Sequence, residues 1–225
     1  MNLGENIRKY LRQHGGKGDV VVPPQIMEEY LDGCKKALET IFEARKTSSS
    51  IRVSDLGKDR DYLRKIIEGD RPQEKLDYNM FLIFWRGYVF EALTEALLEL
   101  SGQPPEKSQG KVIINVDVPD QPSVHVNGTF DVVVDGKLYD IKTANDRSYT
   151  EKFRSSTALA SEDKYNYLVQ GAAYQAGSGH SFTGWLVVNP NTCAIKDVPL
   201  EEHVKPIMAA RYEDALHELR EAHVK

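Results

Sequence analysis

One dipeptide constrains this chain more than any other. Asp135-Gly136 sits between two runs rich in β-branched and apolar residues, Asn127–Val134 and Lys137–Thr143. Asp-Gly between such runs is the strongest short hairpin signal, because a two-residue turn needs left-handed backbone at its centre. A two-residue turn also sets the register. Val134 then faces Lys137, Val133 faces Leu138, and Asp131 faces Asp140. Strand side chains alternate, so Asp131, Asp140 and Lys142 share one face. The alternate positions Val132, Val134 and Ile141 present apolar groups to the other face. A longer loop would shift the register and separate the acids.

Two carboxylates directly opposite each other repel. A hard divalent ion such as Mg²⁺ meets such a pair with oxygen ligands, and Lys142 adds a further positive charge. These parts suit phosphodiester hydrolysis. A bound cation polarises the phosphate and lowers the pKa of a water. A lysine orients that water or stabilises the charge that develops on phosphate. The competing reading is a solvated hairpin with two surface acids and a lysine. The spacing alone is a weak pattern, since Asp and Lys are common residues.

The rest of the chain frames the hairpin. Helices are expected at Asn6–His14, Gln25–Arg45 and Asp59–Glu68, with Ser54 capping the approach to the third and Ser48–Ser50 as a connector. A strong helix spans Tyr78–Leu100 and stops at Ser101-Gly102-Gln103-Pro104-Pro105. A strand at Lys111–Val118 precedes the hairpin. Ala144–Ser161 reads as a polar loop and Asp163–Ala176 as a helix closed by Gly177. A second hairpin, Phe182–Asn189 with Thr192–Val198, turns at Pro190-Asn191, and a helical tail runs from Leu200 to His223. The expected class is α/β, a mixed central sheet flanked by helices. Residues 1–75 are expected to form an N-terminal helical region and 76–225 the core, together one compact unit.

With 225 residues there is room for one sizeable core or two small domains. Only Cys34 and Cys193 are present, which excludes a disulfide framework and an iron–sulfur cluster. No apolar run approaches a membrane span, and the first residues lack the apolar stretch of a secretory signal, so a cytoplasmic protein away from membranes is expected. The net charge of −5 argues against a protein that coats nucleic acid non-specifically. It argues less against a nuclease, whose own site is acidic.

The pattern Gly128-Thr-Phe-Asp131 followed by Asp140-Ile-Lys142-Thr143 resembles the PD-(D/E)XK nuclease superfamily. Gln170-Gly-Ala-Ala-Tyr174 is similar to the QxxxY motif of its RecB-like and phage-type exonuclease branch. Gly87-Tyr-Val-Phe-Glu91 is similar to that branch's upstream helix, and Ile51-Arg-Val-Ser54-Asp-Leu-Gly57, with Arg60 and Arg64, to its N-terminal motif. The resemblance runs from about Ile51 to Val198, four short motifs in order. The proline usual before the first aspartate is Phe130 here.

The resemblance implies a restriction-endonuclease-like fold and roles for each matching residue. Asp131, Asp140 and Glu91 hold the metal, with the Ile141 carbonyl as a further ligand. Lys142 acts on the water or the phosphate. Gln170 and Tyr174 support the site or place the substrate, and Ser54, Arg60 and Arg64 contact it. The implied function is a Mg²⁺-dependent DNA exonuclease, with Mn²⁺ as a substitute, acting on linear ends. Recombination or replication proteins are the implied partners, and a homo-oligomer is compatible. A structure- or sequence-specific endonuclease and an inactive DNA-binding module are the alternatives. No GxxxxGK[ST] motif is present to drive ATP-dependent movement.

Each residue also has a plain reading. Glu91, Glu95 and Glu99 recur every fourth residue, and projection places Glu91 off the apolar stripe, towards solvent. Gln170 and Tyr174 share a helix face, as do Arg60 and Arg64. His125 is expected to face solvent at a strand edge. Tyr165 and Tyr167 are expected to pack rather than stack on bases, and Phe84 and Trp85 to belong to the core.

Overall fold

A computed structural model describes residues 2–42, 50–72 and 77–224. Eight α-helices are seen among them: α1 (Leu3–His14), α2 (Pro24–Phe42), α3 (Arg60–Ile67), α4 (Tyr78–Leu100), α5 (Asp146–Thr150), α6 (Ser156–Ser161), α7 (Tyr167–Ser178) and α8 (Lys205–His223). Six strands form one mixed sheet: β1 (Ile51–Arg52), β2 (Lys107–Val118), β3 (Gln121–Val134), β4 (Lys137–Thr143), β5 (Ser181–Asn189) and β6 (Ala194–Pro199). The order is β1-β3-β4-β5-β6, with β2 paired along the other edge of β3.

The Asp-Gly turn forms as its chemistry requires, with φ of 49° at Asp135 and 68° at Gly136. The register that follows is Val134 to Lys137, Val133 to Leu138 and Val132 to Tyr139. β3 is longer than the hairpin needs. Its far half pairs in parallel with β1, Ile51 to Val126 and Arg52 to Asn127. β3 thus has β4 beside residues 132–134 and β1 beside residues 126–127, and a gap between them at residues 128–131. Gly128 lies at that gap. A Cβ there would come within 2.6 Å of Val53 and 3.0 Å of Tyr174, so only glycine lets the turn after β1 and α7 close on the strand.

Both sheet faces are covered. On one, α3, α6, α7 and α8 pack against Val126, Val133, Leu138 and Trp185. On the other, Leu3 and Ile7 of α1 with Phe90 and Leu98 of α4 pack against Val132, Tyr139, Ile141 and Leu186. Burial of these side chains is the main stabilising term, about 1.5–3 kcal/mol for each large one. The Asp197 carboxylate of β6 accepts the Leu3 and Gly4 N–H groups, each at 2.8 Å. That contact supplies two acceptors the first turn of α1 lacks within the helix.

Several expectations change. The segment read as a polar loop carries α5, α6 and a 3-10 turn at Lys152–Arg154, with Asn145 and Ser155 as side-chain caps. β2 starts at Lys107 and β3 at Gln121, earlier than their β-branched stretches suggest, because the two pair along nearly their full length. Asp59, not Ser54, caps α3 by accepting the Tyr62 N–H at 2.9 Å. Ser54 stays exposed in the 3-10 turn Val53–Asp55. Gly179, left-handed at φ 73°, closes α7, whereas Gly177 packs within it against Val112. Phe84 and Trp85 are 38% and 37% exposed rather than in the core. Helix α4 is apolar on all sides, so its sequence did not reveal which side the sheet covers. Arg45, Ser48 and Ser49 lie outside the described residues. No helix among the described residues is long and apolar enough to cross a membrane.

Candidate metal centre at the strand fork

The ladder between β3 and β4 stops at the Val132–Tyr139 pair. One step further, Asp131 and Asp140 stand where the two strands part. The Ile141 N–H, which would otherwise continue the ladder, donates to Asp131 Oδ2 at 2.6 Å. Val133 and Leu138 point into the core beneath α7. By alternation Asp131, Asp140 and Lys142 point to that side too. Val132, Val134 and Ile141 belong to the opposite core, as the hairpin register required.

Asp140 is 4% exposed and accepts Lys142 Nζ at 2.8 Å. Lys142 also lies 5.4 Å from the Tyr167 ring centre. Glu91 comes from α4, whose Phe90 and Leu97 pack against the other core. It is half-buried, not solvated. Apolar residues occur on every side of α4, so its stripe is poorly defined, which is why projection misplaced Glu91. Gln109 of β2, left-handed at φ 51°, donates its side-chain amide to Glu91 and, at 3.3 Å, to Glu95.

The charges do not balance. Burial, followed by the charges of Glu91 and Asp140, holds the Asp131 carboxyl well above the ordinary carboxylate range. Burial and the nearby Glu95 push Glu91 up to about 7. Burial alone would lower Lys142, but Asp140 and Asp131 outweigh it and raise the ammonium instead. Burial pushes the Tyr167 hydroxyl up to about 12 and raises Tyr174 as well, so both phenols stay protonated at neutral pH. One lysine thus faces three carboxylates.

Among the described residues no three His, Cys, Asp or Glu side chains are turned together into a ready cation cage. Each carboxylate is instead held by a donor: Asp131 by the Ile141 N–H, Asp140 by Lys142, Glu91 by Gln109. The donor set nevertheless fits a hard cation. All three groups offer oxygen, they repel one another, and two of them resist ionisation for want of positive charge.

The remaining expected residues are dispersed. Tyr174 faces the site from α7, and the charges of Asp140, Lys142 and Asp131 reach it. Gln170 turns away to donate to the Tyr165 carbonyl at 2.8 Å. Arg60 is bound to Glu218 of α8 at 3.2 and 3.3 Å, with Glu221 at 3.6 Å, and Arg64 is exposed on the same helix. His125 pairs with Asn115 across β2. A cleft of about 470 Å³ opens along residues Asn127–Thr129 beside the gap, and Ser54 and Tyr174 line it. Its cations are Arg52 and Lys111. Arg52 lies inside the N-terminal motif, but the alternation of so short a strand gave no sign of its direction. Lys111 had no signal at all, because only the β2–β3 register brings it opposite Thr129.

No family model matches the chain, and no curated protein matches it. The solved structure of SSO0001 is 17% identical, with 83% of this chain and 84% of that one covered, at a TM-score of 0.44.

Proposed function

We propose that this protein is a metal-dependent deoxyribonuclease with a restriction-endonuclease-like core, acting as an exonuclease on linear DNA. The observation that carries the reading is the fork itself. Asp131, Asp140 and Lys142 meet where two hairpin strands part, with Glu91 close enough to repel Asp131. A hairpin that served stability alone gains nothing from buried carboxylates in excess of cations, since an uncompensated buried charge costs several kcal/mol by order of magnitude (about 3–5).

Asp131, Asp140 and Glu91 would hold Mg²⁺, or Mn²⁺ in its place, with the Ile141 carbonyl at the edge of the same group. Such an ion supplies Lewis-acid polarisation of the phosphate and a more acidic water. The chain's own residues do the rest. Lys142 places a fixed positive charge where negative charge develops on the phosphate. Tyr174 and Tyr167 stay neutral and offer hydroxyl donors beside it. The cleft along β3, with Arg52, Lys111 and Ser54, gives a phosphodiester backbone a cationic approach to the fork.

The test compares end-labelled linear DNA with covalently closed circles, in Mg²⁺ and in EDTA. Loss of linear DNA alone, abolished by EDTA and by Asp140→Ala, is the expected result. Nicked circles would replace the exonuclease with an endonuclease. DNA bound but never cut with Mg²⁺ or Mn²⁺ would sink the enzyme reading.

A further inference from the structure

Beside the fork lies a group of aromatic rings and cations that the hydrolytic chemistry does not use. Tyr165 and Tyr167 stack with ring centres 5.7 Å apart and 29° between planes. Phe153, buried, stacks on Tyr167 at 5.7 Å. Lys152 Nζ lies 4.5 Å from the Tyr165 ring centre and 4.4 Å from that of Tyr167. Tyr167 in turn borders Lys142. A continuous contact therefore runs from the site lysine through Tyr167 to Tyr165, and Tyr165 is 65% exposed.

The turn that presents Tyr165 is braced from both sides. Gln170 donates to the Tyr165 carbonyl at 2.8 Å. The Asp163 carboxylate accepts the Tyr167 and Leu168 N–H groups at 2.8 and 2.9 Å. Between the two tyrosines, Asn166 sits in the left-handed region at φ 57°. That conformation costs roughly 1–2 kcal/mol in a non-glycine residue, somewhat less for Asn. A strained, doubly braced turn that lifts an aromatic ring into water, one contact from the reacting centre, is a surface made ready for a ligand.

We propose that Tyr165 is the stacking surface for the base of the nucleotide next to the scissile phosphate. Stacking suits a ring that already packs against Tyr167 and Lys152 and still leaves the residue 65% exposed. Bases inside a duplex have both faces covered. The substrate is therefore a nucleotide with at least one free face, at a strand end or in a single strand. Gln170 becomes a positioning residue for this surface through its hydrogen bond to the Tyr165 carbonyl. The inference rests on the nuclease reading and narrows its substrate.

The experiment pairs abasic substitutions with a tyrosine variant. Single-stranded oligonucleotides carry one abasic position at each of the first few sites from either end. Binding is read by fluorescence anisotropy with Ca²⁺, and cleavage with Mg²⁺. The wild-type protein should lose on the order of 10- to 100-fold in binding at one abasic position. Tyr165→Ala should bind intact DNA more weakly by a similar factor and become indifferent to that position. Tyr165→Phe and Tyr165→Trp should restore the sensitivity, which a merely structural role would not predict. Cleavage by the wild type combined with additive losses in Tyr165→Ala overturns the stacking role alone. A wild type that neither binds nor cuts any of these DNAs overturns the nuclease reading, and this inference with it.

Discussion

Two buried acid–base pairs in this molecule look alike and are built for opposite ends. Asp55, in the turn after β1, accepts Arg71 at 3.0 and 2.9 Å and the Arg52 N–H at 2.8 Å. Arg71 is also tied to the Ser50 carbonyl at 2.8 Å. One acid meets one base, the geometry is bidentate, and the carboxylate lone pairs are satisfied. Asp140 is as buried as Asp55, with Lys142 somewhat more exposed than Arg71, but Asp131 and Glu91 crowd the same lysine with two further carboxylates. The first pair is closed and the second is short of positive charge. Closure marks a pair that holds backbone together. On the proposed function, the shortfall is where a cation would bind.

Breaking each pair in turn should therefore separate activity from stability. Asp140→Asn should lower cleavage by roughly 10²–10³-fold or more, the size of losing a preorganised charge at a reacting phosphate. Its circular dichroism and melting curve should match those of the parent. Retained cleavage in this variant would disprove the site. Asp55→Asn should do the reverse. It strands a buried guanidinium, so chemical denaturation should show a loss of about 3–5 kcal/mol. Cleavage per folded molecule should hold. Equal losses of activity in the two variants would erase the distinction between the pairs.

The legible part of the molecule is the part written in local chemistry. Asp135-Gly136 dictated its own turn, and the turn carried Asp131, Asp140 and Lys142 to the fork by counting alone. Helix α4 was legible in extent, Tyr78–Leu100, but not in orientation. Its apolar residues surround the axis, so nothing in them said that Glu91 turns inward while Phe84 and Trp85 turn out. Gln109 and Lys111 were invisible for a different reason. Their partners, Glu91 across the chain and the cleft along Thr129, exist only once β2 pairs with β3 over ten residue pairs. The ion pair of Arg60 was out of reach for the same reason, since Glu218 lies 158 residues away in sequence.

Removing one surplus charge should sharpen the contrast further. Asp131→Asn keeps the shape that accepts the Ile141 N–H while deleting the carboxylate that Glu91 and Asp140 repel. Without divalent ions this variant should be more stable than the parent by on the order of 1 kcal/mol, even as it loses cleavage. Asp55→Asn offers no such gain. A cation-free Asp131→Asn protein that unfolds earlier than the parent would mean the fork is balanced as it stands.

The smallest effect is a matter of pH. Glu91 titrates at about 7 in the fold against about 4.3 in an unfolded chain, raised by burial and by Glu95. The folded state then holds more protons than the unfolded state between those values. Its stability should fall as pH rises from about 5 to 7 and level off above. Below pH 4 the carboxyl is protonated in both states and contributes nothing. Mg²⁺ takes the ionised form, so the rise it causes in melting temperature should be small at pH 5 and grow towards pH 8. Asp131, also raised, adds to the same slope. Glu91→Gln isolates the share of one residue: its melting temperature without Mg²⁺ should depend less on pH, and the Mg²⁺ increment should shrink most at pH 8. A Mg²⁺ increment with the same pH dependence in Glu91→Gln as in the parent would mean that Glu91 takes no part in holding the ion, leaving the two hairpin aspartates to hold it.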